Sequence, residues 1–271
     1  MNCRNCNSSL DERINYCPLC GAKIVRNRLT LKNIWSDINA QFLSIDNKLF
    51  QTFIHLFSKP EVVINGFIEG TRKKYVNVIQ YFAIALTLVG LQVFLMNTFF
   101  REAMVFDSPF FDALNQNAKA QENNPFNNFD YEQFNNYQSL IYTMSVPISA
   151  ISTWIAYWIA GIRRFNFTEH VVINLYYSAQ VIIITAFITI LFLCLGIDFL
   201  LTSSLTFLFT LVYFFYVLKR VFNTSILETV AHYMLVMVMF VILFIIAMVI
   251  AVIIGIIIVL VKKGAVVNTV N

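Results

Sequence analysis

The chain has 271 residues, of which 58% are hydrophobic and only 13% charged. A soluble domain carries about 25% charged residues, so this composition excludes an ordinary soluble enzyme and points to a protein that crosses a membrane several times. The net charge is +4, and its placement matters more than its size: 11 of the 19 Lys and Arg lie in residues 1–78, against six acids. A basic front end beside apolar spans acts first as an orienting signal attracted to anionic headgroups. Nucleic-acid binding is the weaker reading of the same charge. Residues 1–28 hold no apolar run, so no secretory signal peptide is expected.

Residues 1–26 carry Cys3-x-x-Cys6 and Cys17-x-x-Cys20-Gly21, with ten residues between the pairs. Two such knuckles place four thiolates around one tetrahedral ion, so Cys3, Cys6, Cys17 and Cys20 are expected to hold Zn2+ as a small zinc ribbon. Gly21 allows the positive φ that a knuckle requires. Two disulfides, or one disulfide and free thiols, are the competing reading, and a reducing compartment disfavours it. A redox C-x-x-C would open a helix in a βαβ unit, and no such pattern is present. Cys194 stands alone in an apolar run and reads as a packing residue.

Residues 27–75 are expected to form amphipathic helices and a basic collar. Leu31, Ile34, Trp35, Ile38, Phe42, Ile45, Leu49, Phe53 and Phe57 recur at steps of three or four. Such helices lie on the bilayer surface or dock on the spans, with a small soluble helical domain as the alternative. Pro60 opens a further helix to Glu69, and Gly70 ends it. Arg72, Lys73 and Lys74 then form the collar that orients the membrane domain.

The membrane domain is expected over 76–262, with spans near 76–99, 139–161, 171–196, 199–218 and 233–261. Residues 101–138 are rich in Asn and Gln, carry six acids against Arg101 and Lys119, and read as an external polar loop. With the N-terminus cytosolic, internal segments hold 15 of the 19 cations, as the positive-inside rule prefers. The fold class is therefore an all-α integral membrane protein of about five spans, preceded by a zinc ribbon and amphipathic helices. The expected location is the cytoplasmic membrane.

The pattern resembles a family of bacterial membrane proteins, domain of unknown function 3667. The residues that carry the resemblance are Cys3, Cys6, Cys17, Cys20 and Gly21, then Leu56–Pro60 and Phe67-Ile68-Glu69-Gly70-Thr71-Arg72-Lys73-Lys74-Tyr75, with Glu169-His170 and Val221-Phe222 after basic pairs. Val76-Asn77-Val78 departs from it, where a proline is expected. The resemblance implies the architecture and no activity. At the level of topology alone, the layout is also similar to Yip-family trafficking proteins.

Chemistry outside the cysteines is sparse. Glu169 with His170, and Glu228 with His232 one helical turn later, sit at the cytosolic ends of two spans. They are a candidate second metal or proton-handling cluster, set against local hydrogen bonding at a membrane edge. Asn174, Ser178 and Thr185 share a stripe of the third span, with Gln180 off it. Such stripes pack helices together or line a solute path. No H-E-x-x-H, G-x-S-x-G or phosphate-binding glycine loop occurs. An interaction, scaffold or regulatory protein is the leading expectation, with the lipid bilayer and a protein docked on the ribbon as partners. A small transporter or channel is the second reading, and a membrane enzyme using the His and Glu cluster is the third; an enzyme is not favoured. Oligomeric state has no signature in the sequence.

Overall fold

A computed structural model describes residues 2–11, 14–22, 24, 30, 48–101 and 136–270, the last segment by backbone alone at 251 and 254–270. The expected amphipathic stretch over 31–47 and the polar loop over 102–135 lie outside the described residues. The chain divides into two units, residues Met1–Asn47 and Lys48–Asn271. The first is the cysteine segment, with the isolated antiparallel bridge Asn2–Ser9 and no helix among its described residues.

The second unit is all-helical among its described residues. α1 covers 48–58. It is followed by α2 (Pro60–Ile68), α3 (Val78–Phe99), α4 (Gln138–Ile159), α5 (Phe167–Cys194), α6 (Phe199–Phe222) and α7 (Ile226–Val270). Five of these are long and apolar enough to cross a membrane: α3, α4, α5, α6 and Ile226–Ile250 of α7. The protein is thus a multi-pass helical membrane protein, as composition required.

The helix ends follow local chemistry. α5 starts at Phe167, four residues ahead of the expected 171, because Asn166 and Glu169 form a capping box. The Asn166 side chain accepts from the Glu169 amide at 3.0 Å, and the Glu169 carboxylate accepts from the Asn166 amide at 2.7 Å. Ser225 and Glu228 repeat the device at the start of α7, with bonds of 3.3 and 2.9 Å. That cap moves the start of the helix seven residues ahead of the expected 233. Asn223 takes the left-handed conformation (φ 53°) and makes the sharp turn between α6 and α7. Pro60 sits in the first turn of α2, and Gly70 (φ +104°) follows its end. Pro147 lies inside α4.

α5 is the centre of the bundle. It packs against α3, α4 and α6 and touches α2, and 44% of its most apolar window is buried, against 6% in α7. At 28 residues it is about 42 Å long, more than the roughly 30 Å of hydrocarbon. α3 has 22 residues, and the chain just ahead of it meets α5 well inside that helix: the Tyr176 hydroxyl donates to Val76 O at 2.8 Å. The N-terminal nine residues of α5 therefore extend about 13 Å past the start of α3.

α1, α2 and the collar fill the step this leaves. The Tyr213 and Tyr216 hydroxyls on α6 donate to Leu56 O (2.9 Å) and Ser58 O (2.7 Å), capping the C-terminal carbonyls of α1. Gln180 on α5 donates to Phe53 O at 3.1 Å and accepts from the Tyr81 hydroxyl on α3. The non-helical entry to α3 is satisfied in the same way, for Val76 N donates to Thr52 Oγ1 at 3.0 Å. α1 therefore docks on the spans rather than forming a separate soluble domain.

The same contacts make the two ends of the bundle unequal. Glu61 on α2 forms a two-bond ion pair with Arg220 near the end of α6, with one bond of 3.0 Å. Asn65 (3.3 Å) and Arg164 (3.4 Å) both donate to Val221 O. The collar, the link after α4 and the end of α6 thus share one end, which gathers Arg72, Lys73, Lys74, Arg163, Arg164, Lys219 and Arg220. At the other end Met96, Leu193 and Phe199 pack together, and Asn97 donates to Asn136 at 2.9 Å.

Gln180→Leu keeps the side-chain volume but leaves the buried Tyr81 hydroxyl and Phe53 carbonyl without this partner. It should cost about 1–3 kcal/mol, read as a lower midpoint in detergent unfolding. Glu61→Gln breaks a partly exposed pair and should cost under about 1 kcal/mol in the same assay.

Candidate metal centre

The two cysteine pairs fold into matching knuckles. Asn7 N donates to Cys3 O at 2.8 Å, and Gly21 N donates to Cys17 O at 2.9 Å. Cys3 N donates to Ser8 O at 2.8 Å, and Cys17 N to Ala22 O at 2.9 Å. In each knuckle the residue after the second cysteine has positive φ, 58° at Asn7 and 70° at Gly21. Asn is the non-glycine residue that best tolerates this conformation, so Asn7 is the counterpart of Gly21 in the first knuckle.

The knuckles bring four sulfurs together. All four Sγ atoms lie within 4.8 Å of one another, and Cys3–Cys20 and Cys6–Cys17 are each 3.6 Å apart. A disulfide needs about 2.05 Å, so these are free thiols. Tetrahedral zinc with bonds of about 2.3 Å places its sulfurs about 3.8 Å apart. The site fits such an ion and can hold a metal through Cys3, Cys6, Cys17 and Cys20. Cys3 and Cys17 are buried while Cys6 and Cys20 are exposed. Leu10 completes a core cluster with the two buried cysteines, flanked by Ile14, Ala22 and Ile24. So small a core leaves much of the holding to the ion.

Ser8 is a site residue that the cysteine spacing does not reveal. Its hydroxyl lies 3.1 Å from Cys6 Sγ and 3.3 Å from Cys17 Sγ. Its hydrogen bond is the largest influence lowering the Cys17 thiol from 9.0 to about 6, with help from the Cys20 amide. The same hydroxyl is the largest influence lowering Cys6. Part of the thiolate character that a metal needs is thus built into the fold.

The four His and Glu residues are arranged differently. Glu169 and Glu228 are the carboxylates of the two capping boxes described above. His170 is buried, with Nδ1 at 3.1 Å from Thr153 Oγ1. Thr153 donates its own proton to Ala150 O at 3.0 Å, so His170 donates through Nδ1–H. His232 faces Tyr157 at 5.2 Å between ring centroids, and Tyr157 faces His170 at 6.0 Å. An aromatic ring therefore stands against both imidazoles. Among the described residues, the cysteines are the one group of three or more His, Cys, Asp or Glu side chains close enough to share an ion.

Asn174 donates to Thr153 at 2.9 Å and accepts from Ser149 at 2.6 Å, joining α5 to α4. In the collar, Arg72, Lys73 and Lys74 are exposed, while Tyr75 and Val76 are buried. The Arg72 guanidinium covers the Phe67 ring at 3.8 Å and donates to Phe67 O. The Tyr75 hydroxyl bonds His55 Nδ1 at 2.8 Å.

With five apolar spans and a four-cysteine site, the class is a multi-pass membrane protein with a metal-ready N-terminal segment. Residues 46–90 match the family model described as a protein of unknown function (DUF3667). The match covers α1, α2, the collar and the first part of α3, and it supports the family resemblance carried there by Leu56–Pro60 and Phe67–Tyr75. No curated protein and no solved structure matches the chain.

In metal-free, reduced protein whose cysteine segment stays folded, ultraviolet thiolate absorbance should begin to appear near pH 6, as Cys17 loses its proton. Its folded value lies below the ordinary one. The stability it contributes is therefore complete above about 9 and is lost as pH falls toward 6. Ser8→Ala removes the donor to the thiolate and should move this titration upward.

Proposed function

We propose that this is a cytoplasmic-membrane protein whose N-terminal segment is a zinc-held interaction module, with the helical bundle as its anchor and scaffold. The observation that carries the reading is the set of four sulfurs within 4.8 Å of one another. Four thiolates fill the coordination sphere of a tetrahedral ion and leave no open position for a substrate, which is the pattern of structural rather than catalytic zinc. A tetrahedral all-thiolate set suits zinc, and the spacing of the paired knuckles is that of structural zinc ribbons. A ribbon with exposed Tyr16 and Leu19 beside its second knuckle offers a small apolar surface to a protein partner.

The charge distribution supports a cytosolic N-terminus. The bundle end that gathers the collar and the cations near α4, α5 and α6 belongs on the cytosolic side by the positive-inside rule. In that orientation the collar cations also meet anionic headgroups. An uneven number of spans then places the end of α7 outside.

Metal analysis of the purified, reduced full chain should find about one zinc per chain. Cys6→Ser or Cys20→Ser should lower that content severalfold. A folded, reduced protein that binds no metal overturns the reading. A partner pull-down with intact and Cys-substituted chains tests the interaction role separately. Neutralising Arg72, Lys73 and Lys74 together should raise the fraction of molecules with an external N-terminus, scored by protease protection, and leave zinc content unchanged. Loss of zinc in that variant would contradict the division of roles.

A further inference from the structure

The helical unit forms two adjoining, partly open cavities between its own spans. The first, about 330 Å³, lies between α3, α4, α5 and α6, and its polar lining includes Gln92, Gln138, Tyr142, Thr185, Thr189 and Thr206. The second, about 350 Å³, lies between α4, α5, α6 and α7 and is mainly apolar, with Leu211, Phe214, Val236 and Phe240 in its wall. They share Tyr142, Val181, Phe207 and Thr210 and are therefore neighbours. Each falls in the size range of small-molecule sites, about 300–1,000 Å³.

The hydrogen-bonding state of the first cavity specifies its ligand. Thr185 donates to Val181 O at 2.8 Å, Thr206 to Thr202 O at 3.0 Å and Thr210 to Thr206 O at 2.8 Å. Each of these three threonines has used its one proton on its own helix and offers the cavity an acceptor oxygen, beside the Tyr142, Thr189 and Ser203 hydroxyls that also line it. Gln138 Oε1 is a further acceptor, buried and without a partner among the described residues. A buried acceptor left open is costly, so a donor is called for. Among the described residues, no Asp, Glu, Lys or Arg lines either cavity. A phosphate head would find no counter-charge there, and neither would an ammonium head. The ligand is therefore uncharged and carries an O–H donor.

Position supplies its apolar part. The polar cavity includes Met96, Thr189 and Phe199, at the bundle end opposite the collar. The apolar cavity lies on the side of Tyr177, Ser178 and Met237, nearer mid-bundle. Head outside and chain inside is the order of a lipid in one leaflet. We propose that the paired cavities bind an uncharged lipid whose head bears a free hydroxyl, diacylglycerol being the simplest. The head sits among Gln138, Thr185 and Thr206, and an acyl chain lies toward Phe240.

The test uses the full chain in phosphatidylcholine nanodiscs containing a trace of photoreactive diacylglycerol. Labelling should map to peptides of α4, α5 and α6. Unlabelled diacylglycerol should suppress it, and the same mole fraction of phosphatidylglycerol should not. Thr185→Val with Thr206→Val keeps the shape but removes two acceptors, and it should lower labelling about tenfold. Thr87→Val, on the exposed face of α3, should leave labelling unchanged. Equal competition by phosphatidylglycerol, absence of localised labelling, or full labelling of the double variant overturns the proposal. If the double variant does not fold, the competition result with the unaltered protein decides alone.

Discussion

Backbone carbonyls buried among membrane helices must find donors, because hydrocarbon supplies none. The N-terminal half of the helical unit is organised by that requirement. α1 ends against α5 and α6, where the buried Leu56 carbonyl takes its donor from Tyr213 and the exposed Ser58 carbonyl takes one from Tyr216. Gln180 meets the same need at Phe53 and at the same time binds Tyr81 on α3. The irregular Tyr75–Asn77 entry is tolerated because Thr52 and Tyr176 satisfy Val76 on both sides. Breaking this set would leave the Phe53 and Leu56 carbonyls without these donors and loosen α1 from the bundle.

The long helix α5 makes the arrangement necessary. Its length exceeds that of α3 and leaves a step at one end of the bundle, which the short helices and collar occupy. Its polar residues also face different neighbours. Gln180 turns to α1 and α3, Asn174 turns to α4, and Ser178 and Thr185 line the cavities. One helix thus serves as glue on two sides and as a cavity wall on a third. A single polar stripe in the sequence could not have distinguished these roles.

The cysteine segment rests on another principle. It has few apolar residues, and the repeated knuckle, with Asn7 and Gly21 at positive φ, aims its sulfurs at a common centre. Ser8 couples the two halves by reaching Cys6 and Cys17 at once. The same logic of local satisfaction governs Glu169 and Glu228. Each is the reciprocal partner of a capping box, so a carboxylate beside a histidine at a membrane edge has a structural occupation.

The amino-acid sequence by itself determined the class of the protein, the number of spans, the four thiols and the cationic collar. Hydrophobic runs of bilayer length, C-x-x-C spacing and consecutive cations are local signals that need no partner to be read. The two capping boxes, Asn166-x-x-Glu169 and Ser225-x-x-Glu228, were also written locally, and they explain why α5 and α7 start ahead of the hydrophobic boundaries. Tertiary structure alone decided that Gln180 serves Phe53 across 127 positions of sequence, and that Tyr213 caps Leu56 across 157. It also decided that Ser8 faces two sulfurs and that four helices leave hydroxyl-lined space between them. The physical reason is that a hydrogen bond's value depends on what else could satisfy the buried group, and that alternative is fixed only when the helices have packed.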